Sequence, residues 1–340
     1  MMILGFESTA HTFGAAVVES FAKKGDDLSP KNTKIISEND KKYPSLKEGF
    51  IPRKLADFHA KNFDGILGNT LKTAGVAISD LDAVCYSYGP GIGHSLHVGY
   101  IAAKSISVSR NIPLIPVNHA LSHIEIARFH SGFKDPLAIY VSGGNTQLLV
   151  LEKFDNFAKY KVLGETLDIG IGNFLDHVGR HFMLSPPDAV GVLKEAQKGK
   201  QLVDMPYSIK GMNTSYTGLL TTAIKMDPKK IPIEDICLSS QEYAFSMLLE
   251  ASERALALTG KKQIVGVGGN YRNKRLQDMT LELAKEQNAI CHFPTFELLG
   301  DNAGMITITG ALQFHSNCFD DSLLPNQKAR ADAEKVGWWL

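Results

Sequence analysis

The sequence predicts an α/β protein of two duplicated lobes facing each other across a cleft. Three observations lead there. The chain has 340 residues, more than one ordinary core holds and enough for two lobes of typical domain size. An apolar strand, a small polar turn and a second apolar strand recur near the head of each half, about 130 residues apart, as an internal repeat would place them. Later strands run into glycine turns and are followed by helical patterns, the alternation of an α/β fold.

The first lobe opens with Ile3-Leu4-Gly5-Phe6, the polar turn Glu7-Ser8-Thr9-Ala10-His11-Thr12 and the apolar return Phe13-Gly14-Ala15-Ala16-Val17-Val18, a strand–turn–strand signal. A strand at 33–39 and a helix at 52–74 follow. Residues 81–88 form a buried strand ending in Gly89-Pro90-Gly91-Ile92-Gly93, a run of breakers. A small-residue helix at 95–110 and a short strand at 114–117 lead to a helix carrying His119 and His123. The second lobe begins alike, with a strand at 137–141, the turn Ser142-Gly143-Gly144-Asn145-Thr146 and a return strand at 147–151. Residues 263–267 form a strand entering Gly268-Gly269, a helix spans 273–287, and Asp301-Asn302-Ala303-Gly304 starts the last long helix. The expected division is 1–134 for lobe I, completed by the tail 316–340, and 135–315 for lobe II, with an insertion at about 184–230. Two exposed tryptophans at a terminus would be unusual, so the end Trp338-Trp339-Leu340 is expected to dock on the body or on another chain.

Composition narrows the function classes. Lys plus Arg and Asp plus Glu are both 36, so no basic footprint marks the whole chain as a nucleic-acid binder. Any such contact must rest on a local patch or on partner subunits. Cys85, Cys237, Cys291 and Cys318 include no Cys-x-x-Cys pair, which argues against a disulfide framework or a thiolate zinc site. The N-terminus has no basic region before its apolar residues, and no run approaches the roughly 18 apolar residues of a membrane helix. A cytoplasmic protein is expected.

His119-Ala120-Leu121-Ser122-His123 is the sharpest chemical signal. Positions i and i+4 share a helix face, so both imidazoles can reach one ion. The same spacing also arises as an ordinary pair of helical histidines. The Glu of a His-Glu-x-x-His protease helix is missing, and Glu125 points away from that face. Asp301 can be an oxygen ligand or merely the cap of the helix it precedes. Tyr140, at a strand end, can equally be a core tyrosine. The turns at 142–145 and 268–270, with the hairpin at 7–12, would bring backbone N–H groups to an anion. In the loop 164–173, Asp168 reads as a turn or cap residue. His11, His94 and His97 have no ligand-like spacing.

Together these segments resemble the archaeal and eukaryotic KEOPS-type tRNA threonylcarbamoyltransferase family. The matching runs are 5–14, 89–93, 117–125, 140–147, 164–173, 215–221, 268–276 and 301–306, spread in this order over about 300 residues. The resemblance implies the fold of the actin, hexokinase and Hsp70 superfamily. It implies transfer of a threonylcarbamoyl group from threonylcarbamoyl-AMP to the adenosine beside the anticodon of tRNAs reading codons that begin with A. The positions matching the family's metal ligands, for iron or zinc, are His119, His123, Asp301 and, more loosely, Tyr140. Those matching its donor-binding residues are Tyr140, Val141, Ser142, Gly143, Gly144, Asp176 and Asn273. The implied partners are tRNA, a small kinase-like ATPase, a dimerising small subunit and a regulator.

Three departures fall on the nucleotide side. Asp188-Ala189 stand where the family has two glycines, and Leu193 replaces a Glu that holds the nucleotide. Tyr271 and Arg272 replace small residues where adenine would lie close, and His97 replaces a basic Arg-type position. Leu193 accepts no hydrogen bond from ribose, and Asp188 adds negative charge near a phosphate. The alternative reading is therefore a structural or regulatory KEOPS subunit that retains the metal and binds nucleotide poorly. A kinase of the same superfamily has no use for paired histidines, and a metalloprotease lacks its base.

Overall fold

The apolar run after Met1 forms β1 (Met2–Glu7), buried along nearly its whole length. It pairs antiparallel with β2 (Thr12–Ser20), which pairs antiparallel with β3 (Thr33–Lys42). The computed structural model describes residues 1–23, 25–44, 50–155 and 157–338. After the meander come α1 (Pro52–Ala74), β4 (Ala83–Gly89), α2 (Gly93–Arg110), β5 (Leu114–Asn118) and α3 (His119–Ser131). The sheet order is β3-β2-β1-β4-β5, with β4 parallel to both β1 and β5. Strands β1 and β4 read as continuous apolar or small residues because both sheet faces are covered.

The pattern is then repeated. β6 (Leu137–Val141) and β7 (Thr146–Lys153) form a second antiparallel hairpin, continued by β8 (Ala158–Glu165). The segment expected as an insertion carries short elements. After α4 (Ile171–His181), these are α5 (Ala189–Ala196), β9 (Ile209–Lys210), β10 (Asn213–Thr214) and α6 (Thr217–Lys225). The long α7 (Ile233–Thr259), β11 (Gln263–Val267), α8 (Lys274–Glu286) and β12 (Ile290–His292) follow, with β11 parallel to β6 and β12. The order β8-β7-β6-β11-β12 reproduces β3-β2-β1-β4-β5 strand for strand. The mixed α/β class with two sheets is thus as expected, and the recurring hairpin was its visible trace.

The chain closes with α9 (Phe296–Leu299), α10 (Ala303–His315) and β13 (Lys335–Val336), which pairs with β8. Two compact units result: residues 1–134, 151–161 and 294–340 form unit 1, and 135–150 with 162–293 form unit 2. The expected boundary at 315 is corrected, because α10 packs on β1, β2, β4 and β5. That helix is buried from Ala303 to Gln313 and apolar on almost every side, as a helix inside a core must be. Its approach depends on Gly5, where an added Cβ would stand 2.2 Å from Thr307 Oγ1 and 2.8 Å from Cys85 Sγ. Among the described residues no helix is long and apolar enough to cross a membrane, and all four cysteines are free thiols.

After α10 the tail runs back over unit 1. Tyr86 Oη donates to Leu323 O at 2.7 Å, and Asn326 N–H donates to Tyr88 O at 2.7 Å. Tyr88 Oη donates to Glu334 Oε1 at 2.5 Å. Trp338 docks on the body through its indole N–H; Trp339 and Leu340, the rest of the expected docking end, lie outside the described residues.

Two outcomes follow from this packing. Gly5→Ala should destabilise unit 1 by about 1–3 kcal/mol through overpacking, seen as a lower denaturant midpoint at unchanged slope. Burial pushes the Glu334 carboxyl up to about 7 from an ordinary value of 4.5, although Tyr88 and Asn118 hydrogen bonds oppose it. The folded state therefore favours the protonated form, whose stabilisation is full below about 4.5 and lost as pH rises through about 7. Thermal scans between pH 4.5 and 8 should show this loss in the parent chain and a flatter profile for Glu334→Gln.

Candidate functional site

Helix α3 begins where it does because the Asn118 side chain caps it, accepting from Ala120 N–H at 3.0 Å and Leu121 N–H at 3.2 Å. His119 is thereby the first helical residue and His123 lies one turn on. Both are buried, with ring centroids 4.8 Å apart. Asp301 arrives from the start of α10. That start is held by Asn302, which accepts from Met305 N–H at 2.8 Å, and by Glu38, which accepts from Gly304 N–H at 2.9 Å. Asn302, not Asp301, is the cap.

The Asp301 carboxylate is turned to the histidines instead. Its Oδ1 lies 3.5 Å from His119 Nε2 and 3.4 Å from His123 Nε2. One ligand atom from each of the three side chains falls within 4.8 Å of the others. All three residues belong to unit 1, so the expected split of imidazoles and carboxylate between two lobes is corrected along with the boundary. The 3.4 and 3.5 Å separations exceed a good hydrogen bond. They match the edge of about 3.3 Å that a tetrahedral ion with bonds of about 2.0–2.1 Å would impose. Two imidazoles and a carboxylate are also the donor set that zinc and iron accept.

Glu7, at the end of β1 and fully buried, supplies the support. Its Oε2 is 3.1 Å from His119 Nδ1, and its Oε1 accepts from the Thr9 N–H at 2.7 Å and from the Thr9 hydroxyl. With Nδ1–H donating to Glu7, the other ring nitrogen of His119 is presented to Asp301, the carboxylate–histidine arrangement that orients metal ligands. The turn at 7–12, expected to hold an anion, thus directs a carboxylate inward. Glu7 and His119 are 112 residues apart, and no local spacing reveals that pairing. His11 was likewise passed over. Its Nδ1 sits 3.9 Å from Asp301 Oδ2, and its ring stacks on Phe50 at 5.8 Å.

The electrostatics follow from two carboxylates around buried imidazoles. Burial alone would lower the pKa of His119, but Glu7 and Asp301 outweigh it and hold the ring well above the ordinary histidine range. Burial likewise opposes ionisation of Asp301, yet the charge and hydrogen bonds of His119 and the hydrogen bond of His123 keep its carboxyl well below the usual range. Burial and the neighbouring His119 lower His123, with Asp301 pulling the other way. The cluster is a pocket of negative potential that favours a positive charge among its donors.

In unit 2 the three glycine segments converge. An added Cβ on Gly170 would stand 2.7 Å from Gly143 O, on Gly172 2.6 Å from Asn270 Nδ2, and on Gly268 2.5 Å from Val141 O. Gly268 also takes φ 93°, a conformation that suits glycine. Ser142 N–H donates to Asn145 O at 2.8 Å, and Asn173 N–H donates to Gly143 O at 2.8 Å, so the turn is held closed while Gly143 and Gly144 stay exposed. Tyr140 and Val141 are buried at the end of β6 beneath it. Asp168 accepts from the N–H groups of Tyr216 and Thr217 at 2.9 and 3.0 Å, so it ties the loop 164–173 to the start of α6, 48 and 49 residues on.

The expected donor-binding side chains are already engaged within unit 2. Asp176 accepts from Ala189 N–H at 2.8 Å, and burial raises its pKa, with the charge of Asp188 adding to the effect. Asn273 caps α8 through Arg275 N–H at 2.8 Å and donates to Gln241 Oε1 at 3.3 Å. Asp188 caps α5, accepting from Val190 N–H at 2.9 Å, and Leu193 is partly exposed on that helix. Tyr271 corrects an expectation. It is fully buried, packed over Gly266 and stacked on Phe293 at 5.4 Å, so its ring fills core space and does not crowd the glycine turn.

Comparison with known proteins gives the family. The family model described as "TsaD: tRNA N6-adenosine threonylcarbamoyltransferase" matches residues 33–308. A protein of Thermococcus sibiricus described as tRNA N6-adenosine threonylcarbamoyltransferase is 38% identical over 99% of this chain and 100% of its own length. A Methanococcus maripaludis protein, described as a probable bifunctional tRNA threonylcarbamoyladenosine biosynthesis protein, is 42% identical over 99% of this chain. The chain spans 60% of that relative's length. Among solved structures, Thermococcus kodakarensis HypF shares the fold with a TM-score of 0.58 at 13% identity, over 90% of this chain and 47% of that one. The chain belongs to the TsaD family of tRNA N6-adenosine threonylcarbamoyltransferases.

Proposed function

We propose that the chain transfers the threonylcarbamoyl group of threonylcarbamoyl-AMP to the adenosine beside the anticodon of tRNAs reading codons that begin with A, as the metal-containing subunit of a KEOPS complex. The observation that carries this reading is the cluster of the buried His119 and His123 with the half-buried Asp301, oriented by Glu7, in a chain of this family. His119, His123 and Asp301 hold one divalent ion, iron or zinc. Bound there, the ion supplies Lewis acidity toward a donor oxygen. The exposed amides of Gly143 and Gly144 receive the adenylate phosphate, with Ser142, Val141, Asp176 and Asn273 around it. The adenosine amine bonds to the carbamoyl carbon as that carbon's bond to the phosphate oxygen breaks, and AMP leaves. The partners in this reading are tRNA, a small kinase-like ATPase, a dimerising small subunit and a regulator, in the cytoplasm. The matching region is about three-fifths of some relatives, described as probable bifunctional proteins, and the whole length of others.

One feature favours a second reading, a scaffold subunit that keeps the ion and binds donor poorly. Asp188 places a carboxylate on the N-terminus of α5 near Asp176, where a phosphate ligand would meet like charge. Titration with adenylate or ATP separates the two: micromolar binding supports the enzyme, and none at millimolar ligand supports the scaffold.

Reconstitution with partner subunits, ATP, tRNA and threonylcarbamoyl-AMP labelled in its threonine should give labelled tRNA with the parent chain and background with His119→Ala. Background in both would contradict the transferase reading. Glu7→Gln keeps the size of the side chain and removes the charge behind His119. Metal affinity, measured by chelator competition, should fall about 10- to 100-fold, as for other outer partners of ligating histidines.

A further inference from the structure

The tail that crosses unit 1 touches helix α3 on both sides of its two histidines. Before His119, the cap residue Asn118 donates through Nδ2 to Arg330 O at 3.3 Å. Beyond His123, Trp338 Nε1–H donates to Glu125 Oε2 at 3.0 Å. Between these points β13 is pinned to β8, and Tyr88 holds Glu334. The strap also sits hard against the loop that precedes α2. An added Cβ on Gly89 would stand 1.9 Å from Asn326 O, and one on Gly93 2.5 Å from Gln327 Nε2.

Glu125 is more than a tether for the indole. Its Oε1 accepts from Tyr160 Oη at 2.5 Å and from Arg128 Nη1 at 3.2 Å, and all three side chains are buried. Arg128 Nη1 reaches Tyr160 Oη at 2.8 Å, while its Nε and Nη2 donate to Phe133 O at 3.3 Å and Lys134 O at 2.7 Å. A buried, charged network of this kind holds its members in one arrangement, because every alternative leaves a charge unpaired in the core. Trp338 adds a donor to the second Glu125 oxygen, Oε2. The strap thus closes a network rooted in α3 two residues past His123.

We propose that residues 323–338 act as a positioning strap for the metal-bearing helix. By fixing the cap at Asn118 and the network at Glu125, the strap holds the His119 and His123 imidazoles at the spacing that Asp301 completes. Trp338 is its closing positioning residue and touches no ligand itself. This role rests on the reading of His119, His123 and Asp301 as the metal centre.

The test uses the full chain, stripped of metal, and compares the parent with Trp338→Phe, which keeps an aromatic ring and loses the indole donor. Val192→Ala, a buried change in unit 2, is the control for a merely less stable protein. Zinc affinity is measured by competition with a chromophoric chelator, and amide exchange is followed across residues 119–131. Trp338→Phe is expected to raise the zinc dissociation constant about three- to tenfold, less than loss of a direct histidine partner. Exchange across α3 should quicken, while Val192→Ala leaves both at parental values. Zinc binding by the parent that Trp338→Phe leaves unchanged, with or without faster exchange, overturns the strap and spares the metal reading. Binding of neither zinc nor ferrous iron by the parent overturns the metal reading and the strap's role with it.

Discussion

A buried line of alternating charge, from Glu7 through the His119 ring to Asp301, is the constraint around which unit 1 is arranged. Two carboxylates carried out of water are costly unless something positive stands between them. The His119 ring meets that need, and its raised pKa is the signature. Each member comes from a different element: Glu7 from the end of β1, His119 from the first residue of α3, Asp301 from the approach to α10. A shift of any one element leaves a charge stranded, so the line fixes their mutual placement. A cation among the same donors satisfies that electrostatic demand at least as well as a proton does.

The backbone makes this convergence possible by repetition. Each unit sets a hairpin beside two parallel strands, and in each the hairpin turn stands at the same point of the topology. The two turns have diverged in use. The first sends a carboxylate inward to a histidine. The second keeps its glycine backbone exposed and is braced from below by Gly170, Gly172 and Gly268, positions where any side chain would collide. One turn suits orientation of a ligand-bearing ring, the other suits close approach of an anion.

Much of this was legible in the sequence because it is local. The strand–turn–strand repeat, the helix at 52–74 and the face shared by His119 and His123 depend on neighbours a few residues away. Glu7, His11 and the partners of the docking tail were not legible, because each acts across the fold. Glu7 meets a ring 112 residues on, and Trp338 meets a carboxylate 213 residues back. Asp301 shows the limit well: a polar residue ahead of a helix reads as a cap, and only the neighbouring Asn302 taking that role released it for the histidines. Tyr271 was misjudged for a related reason. Whether a tyrosine after a glycine turn faces ligand or core depends on the room left above Gly266, which no local pattern displays. The placement of 294–315 in unit 1 was hidden too, since it rests on small residues such as Gly5 admitting α10 to the sheet.

The central claim is that three side chains of unit 1 share one cation. Diffraction from crystals of the metal-loaded protein, recorded on both sides of the zinc or iron absorption edge, tests it most directly. The account predicts a single anomalous peak within about 2.0–2.2 Å of His119 Nε2, His123 Nε2 and an Asp301 carboxylate oxygen. A difference map with no peak at that cluster, or a peak held by other residues while the three side chains keep their present spacing, would contradict it.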